Sequence, residues 1–124
     1  IQVSSNFERL LFDLEGRDGA LTAARMKGFE ASKAMQLSPE MRAGAEALFS
    51  SARIDPEEMG IAMRRAWDEA GQMIDPHTAI GLGAAHRLQD AGTIDRAIPC
   101  VTLATAHPSK FRDAVERATG LRPR

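Results

Sequence analysis

The chain has 124 residues, of which 44% are hydrophobic and 27% charged, and its formal net charge is −1. These values are typical of one globular domain, exclude a disordered chain, and give no global field that would attract nucleic acid or an anionic membrane. No apolar run reaches the roughly 18 residues of a membrane helix, and no signal peptide is evident.

The first half of the chain predicts three helices. Ser5 and Glu8 have the spacing of a capping box at the start of the first helix, and a second helix is expected over residues 20–35. Ser38, followed by proline, predicts the cap of a third and shorter helix. Residues 49–54 are compatible with either a weak strand or a loop.

Two Asp-Pro pairs predict the next two helix starts. Asp55 and Asp75 are suitable N-caps, each with proline at the first helical position, and the helices run to about Ala70 and Ala91. In the second of these helices, residues 78–85 read "TAIGLGAA", with no polar face. A helix without a polar face is expected to be buried on every side.

The end of the chain predicts one strand and one more helix. Residues 97–104 form a continuous apolar run, which is typical of a strand covered on both faces. Cys100, the single cysteine, lies inside this run and is interpreted as a buried hydrophobic residue in a reducing compartment such as the cytoplasm. An amphipathic helix over residues 109–119 is expected to end at Gly120.

The predicted elements do not make a complete fold. One strand cannot form a sheet, and a strand that is apolar on both faces needs parallel neighbours with helices above and below. We therefore expect an α/β protein in which this chain is a helix-rich C-terminal portion. It would contribute one or two strands to a larger parallel sheet whose other strands lie upstream. The start at Ile1, in mid-pattern, fits a fragment of a longer protein.

Three polar residues stand where a ligand site would be expected. Thr105 ends the predicted strand, and α/β proteins bind ligands beyond the carboxyl ends of their strands. Thr105 could instead cap the following helix or a turn, and His107, which precedes proline, could cap a helix or serve the site. His77 follows a helix start and is either a site residue or an interior histidine. The histidines lack the spacing of metal ligands, so no metal site is expected.

Three segments, in this order and at this spacing, resemble threonine synthase. They are "QVSSNFERLLFDL" at 2–14, "DPHTAIG" at 75–81 and "LATAHPSKF" at 103–111. The resemblance covers essentially the whole chain. Ser109 and Ile80 depart from the alanine and valine that are usual in the family at these positions.

The resemblance implies a fold-type-II enzyme dependent on pyridoxal 5'-phosphate (PLP). The intact enzyme is a lyase of threonine biosynthesis, which converts O-phospho-L-homoserine and water to L-threonine and phosphate. Residues 1–124 would form the C-terminal segment of its large cofactor-binding domain. The Schiff-base lysine and the phosphate loop belong to earlier segments. This chain is therefore expected to hold no catalytic residue, to be inactive alone, and to need the rest of its polypeptide as a partner.

The resemblance also implies roles for individual residues. The threonine of "TAHP" in the family hydrogen-bonds the pyridine nitrogen of PLP, a role that carries over to Thr105. A hydroxyl leaves that nitrogen largely neutral, whereas a carboxylate would hold it protonated, and such contacts tune the cofactor. His107 would shape the adjoining turn. His77, Asn6 and Phe7 are expected to line the active site.

Two alternatives remain beside this interpretation. The first is a sister fold-type-II enzyme such as threonine dehydratase, against which the segment "SSNFERLL" at 4–11 argues because those families lack it. The second is a free-standing helical interaction module. Such a module would bury the apolar segments 78–85 and 98–104 within itself.

Overall fold

The computed structural model describes residues 5–124, with side chains from Asn6 onward, and divides the chain into two compact units, Ile1–Phe49 and Ser50–Arg124. None of the helices among these residues is both long enough and apolar enough to cross a membrane. The described helices are α1 (Ser5–Leu14), α2 (Gly19–Ser32), α3 (Pro39–Glu46), α4 (Pro56–Ala70), α5 (Pro76–Asp90), a 3-10 helix (Pro108–Phe111) and α6 (Arg112–Thr119).

The first unit packs α1 against α2 and α3 around the fully buried Leu11. Beside it, the carboxylate of Glu15, whose side chain is 1% exposed, accepts hydrogen bonds from Arg25 Nε at 2.5 Å and Thr22 Oγ1 at 2.7 Å. Burial alone would raise the pKa of Glu15, but these bonds lower it below its usual value. The side chain of Ser5, which is predicted to cap α1, lies outside the described residues.

The predicted helix starts in the middle of the chain are confirmed. Ser38 Oγ accepts the backbone N–H of Met41 at 3.2 Å, and Asp55 Oδ1 accepts the N–H groups of Glu57 and Glu58 at 2.9 Å each. Glu58 in turn accepts the N–H of Asp55 at 2.9 Å, which completes a capping box. These bonds satisfy N–H groups that a helix leaves without partners in its first turn.

The second unit packs α4 against α5 and α6 around one apolar core. Buried residues from the three helices form its centre, and partly buried methionine, isoleucine and alanine side chains surround them. The central residues are Ala62, Met63, Ala79 and Val115, and the surrounding ones are Met59, Met73, Ile74 and Ala118.

Among the described residues, helix α5 is buried on one face only. Burial on its other faces would need the rest of the polypeptide, so that expectation stays a prediction. Thr78 and Ala79 are buried, whereas the neighbouring Ile80 and Gly81 are exposed. Ala79 belongs to the core that α5 shares with α4 and α6, whereas Ile80 is 40% exposed.

The predicted strand 97–104 is absent, and the part of the chain that the structure describes contains no strand, including at residues 49–54. Val101 is 83% exposed, and Cys100 is exposed rather than buried. A strand must pair its backbone N–H and C=O groups with a neighbouring strand, and the described residues offer no such neighbour. The final helix also differs slightly, since a 3-10 turn precedes α6.

Truncation of Met63 tests the core of the second unit. We expect Met63→Ala, at a side chain 1% exposed, to cost about 2–5 kcal/mol of unfolding free energy because it leaves a cavity. Ile61→Ala is the matched control on the same helix, and its 60% exposed side chain predicts a change within about 0.5 kcal/mol. Denaturant midpoints of the full-length protein measure both, and equal shifts would contradict this core.

Candidate functional site

A cavity of about 830 Å³ lies in the second unit, between the start of α5 and the turn that precedes the 3-10 helix. One wall carries the capping aspartate and the third residue of α5, and a second wall carries residues 104 and 106–108 of the "ATAHP" segment, without Thr105. The residues of these two walls are Asp75, Thr78, Ala104, Ala106, His107 and Pro108. The rest of the lining comes from Trp67, Gln72, Met73, Ile74 and residues 121–124.

The carboxylate of Asp75 caps α5 and is almost fully buried, with 1% of the residue exposed. Its Oδ1 accepts the backbone N–H of His77 at 2.9 Å and that of Thr78 at 3.4 Å, and its Oδ2 accepts the Thr78 hydroxyl. Burial by itself would raise the pKa of Asp75, but these bonds together lower it. The group is therefore a buried carboxylate held in its charged form by surrounding donors.

The hydroxyl of Thr78 joins the two walls of the cavity. It donates its hydrogen to Asp75 and accepts the backbone N–H of Thr105 at 3.2 Å. Thr78 and Thr105 are 27 residues apart in the chain. Thr78 is not among the site residues predicted from the sequence. Its place three residues after a capping aspartate is nevertheless a recognisable signal of a bond to that aspartate.

Thr105 is exposed, and the bond from Thr78 engages its backbone rather than its side chain. No group among the described residues bonds the Thr105 hydroxyl. Thr105 does not cap the following helix, because that position belongs to His107. The hydroxyl is thus left able to donate or accept one bond at the end of the apolar segment.

His107 caps the 3-10 helix. Its Nδ1 accepts the backbone N–H of Ser109 at 3.2 Å and lies 2.7 Å from Ser109 Oγ. His107 also lines the cavity, but a role toward a ligand stays a prediction.

His77 is exposed, so its interpretation as an interior histidine is wrong. Its Nδ1 lies 3.1 Å from Asp75 Oδ1, and its ring meets that of Phe111 edge-on at 5.0 Å between centroids. His77 is not among the residues that line the 830 Å³ cavity. Among residues 6–124, no three His, Cys, Asp or Glu side chains cluster as a metal site would require.

The two other predicted lining residues, Asn6 and Phe7, belong to the first unit. Asn6 is exposed and accepts a hydrogen bond from Arg9, and Phe7 is partly buried. Their place in an active site stays a prediction.

Comparison with known proteins gives the family. A family model described as "Threonine synthase, C-terminal" matches residues 78–124. Over 118 residues the chain is 42% identical to a threonine synthase from Pseudomonas aeruginosa, which covers 95% of the chain and 24% of that protein. Over 131 residues it is 34% identical to the threonine synthase of Saccharomyces cerevisiae, covering 95% of the chain and 25% of that protein.

The structural comparison agrees. A crystal structure of PLP-bound threonine synthase from Brucella melitensis superposes with a TM-score of 0.79 and 38% identity, over 100% of the chain and 26% of that structure. The chain corresponds to the C-terminal part of threonine synthases. It spans about a quarter of the length of these relatives. The resemblance drawn from the three sequence segments is thereby confirmed.

Neutralising Asp75 tests the buried carboxylate of the site. Because the folded-state pKa of Asp75 is lowered, its charge stabilises the fold above the unfolded pKa of about 4, and this contribution is lost as the pH falls through the folded pKa. We therefore expect Asp75→Asn to lower the unfolding free energy most near pH 7. Below about pH 4, the unfolding free energies of Asp75→Asn and wild type should become more nearly equal. Urea unfolding from pH 7 to pH 3 measures it, and a pH-independent difference would contradict the account.

Proposed function

We propose that the protein containing this chain is a PLP-dependent threonine synthase that converts O-phospho-L-homoserine and water to L-threonine and phosphate. The chain supplies the C-terminal part of its active site. The identities of 42% and 34% to threonine synthases, over 95% of the chain in each case, support this proposal. The observation within the chain that carries it is the exposed Thr105, which stands between the cavity-lining Ala104 and Ala106 and whose backbone N–H is bonded to Thr78.

The chemistry of the cavity wall fits PLP with Thr105 on its pyridine nitrogen. When bound, PLP supplies an electron sink for carbanion chemistry. Asp75 is the acidic residue of the cavity wall, and its two oxygens already accept bonds from His77 and Thr78. A neutral hydroxyl is therefore the group that Thr105 offers to the ring. It would orient the ring without holding the ring nitrogen protonated. His77 and His107 are proposed to line the active site of the intact enzyme, and the call that Asn6 and Phe7 of the first unit line it stays a proposal.

The rest of the polypeptide is the proposed partner of the exposed apolar segment. Ile98, Val101 and Leu103 are all largely exposed in the second unit. Upstream strands of a larger parallel sheet, as in a fold-type-II enzyme, would cover such side chains. A free-standing helical module would bury this segment itself, so its exposure argues against that alternative.

The cytoplasm is the proposed location. Cys100 is the single cysteine of the 124 residues and is unpaired among the described residues, and free thiols persist in a reducing compartment.

Removal of the Thr105 hydroxyl tests the proposed function. In the full-length enzyme we expect Thr105→Ala to shift the visible absorption spectrum of PLP. We also expect it to slow phosphate release from O-phosphohomoserine by about tenfold or more, or roughly 1.4 kcal/mol of barrier. Thr105→Ser is the matched control, because it keeps the hydroxyl, and it should stay close to wild type.

Two results would count against this proposal in different ways. An unchanged spectrum and rate in Thr105→Ala would remove Thr105 from the ring nitrogen while leaving the overall reaction intact. A wild-type enzyme that releases no phosphate but dehydrates threonine would instead favour the sister enzyme, threonine dehydratase.

A further inference from the structure

We propose that Thr78 is a positioning residue that sets the direction of the Thr105 hydroxyl by holding the Thr105 backbone. This inference rests on the proposed role of Thr105 at PLP and adds to it Thr78, a residue of the cavity wall that would act through the Thr105 backbone. It is carried by the hydrogen bonds that run from Asp75 through Thr78 to Thr105.

The direction of these bonds is fixed by the chemistry of a single hydroxyl. The Thr78 hydroxyl has one hydrogen, which it donates to Asp75, so toward Thr105 it can only accept. The backbone N–H of Thr105 is the matching donor, at 3.2 Å. Because Thr78 is only 6% exposed, water does not readily replace either partner.

The anchor of this arrangement is the start of α5 itself. Asp75 Oδ1 accepts the N–H groups of His77 and Thr78, which fixes the carboxylate relative to the helix axis. The second oxygen, Oδ2, then determines where the Thr78 hydroxyl can point. The backbone of Thr105 is thereby held at a fixed place relative to α5.

The segment 99–107 is joined to the helices of the second unit by few polar contacts. Within residues 6–124, the bond from Thr105 to Thr78 is the one hydrogen bond that joins this segment to α4, α5 or α6. The other close approach is apolar, since a Cβ added at Gly81 would lie 3.2 Å from Thr102 Cγ2. Loss of the Thr78 hydroxyl would therefore free the backbone at Thr105 while leaving the segment against α5.

Thr22 in the first unit offers a matched control. It is 5% exposed, and its hydroxyl donates to the carboxylate of Glu15 at 2.7 Å, as that of Thr78 donates to Asp75. Thr22 holds no residue of the cavity. Thr22→Val therefore removes a comparable buried bond without touching the proposed positioning function.

The experiment uses full-length holoenzyme carrying Thr78→Val, Thr78→Ser, Thr22→Val, Thr105→Ala, or Thr78→Val combined with Thr105→Ala. We expect Thr78→Val to shift the PLP spectrum in the same direction as Thr105→Ala and to lower kcat about threefold to tenfold with little change in KM. Thr78→Ser should restore both to within about twofold. Thr22→Val should lower Tm without moving the spectrum or kcat.

The double variant separates positioning from a general loss of stability. If Thr78 acts through Thr105, the combined variant should be no slower than Thr105→Ala alone, because the hydroxyl to be positioned is already gone. Losses of kcat that multiply in the double variant would overturn the proposal. If Thr78→Val does not yield folded holoenzyme, Thr78→Ala takes its place in the same comparison.

The outcomes also distinguish this inference from the proposed function. A wild-type spectrum and kcat in Thr78→Val, together with a shifted spectrum in Thr105→Ala, would overturn the positioning role and leave the function standing. A wild-type enzyme that binds PLP but releases no phosphate would overturn the function alone. In that case the PLP spectrum still reports whether Thr78 acts on Thr105.

Discussion

The buried carboxylate of Asp75 is the group on which the geometry of the site depends. A buried charge is strongly unfavourable unless hydrogen bonds replace its lost water, and here the first turn of α5 and the Thr78 hydroxyl provide them. The same bonds define where α5 begins, which way Thr78 points, and where the backbone of Thr105 lies. One aspartate thus links a local helix cap to a residue 30 positions later in the chain.

Features set by neighbouring residues were predicted well from the sequence. The caps at Ser38, Asp55 and Asp75 are confirmed because a helix start needs only a short polar side chain and the N–H groups two or three residues later. Features that need distant partners were not predicted correctly. Residues 97–104 have the composition of a buried strand, but composition does not supply the neighbouring strands that this segment lacks among residues 5–124.

The residues of the candidate site likewise differ in whether a local sequence pattern could predict them. The end of an apolar run predicts Thr105 as a site residue, and in the structure Thr105 is exposed between Ala104 and Ala106, which line the cavity. The role of Thr78 depends on a contact across 27 residues, which no local pattern records. His107 was compatible with a cap or a site residue, and its bonds to Ser109 identify it as a cap. Recognition of three separated segments supplied the family, which no single segment could have done.

The most direct test of the central claim is a crystal structure of the full-length protein with PLP bound. The account predicts that Thr105 Oγ1 lies within about 3.2 Å of the pyridine nitrogen, while Thr78 Oγ1 still accepts the Thr105 backbone N–H. A ring nitrogen that faces another group, with the Thr105 hydroxyl turned away from it, would contradict the account.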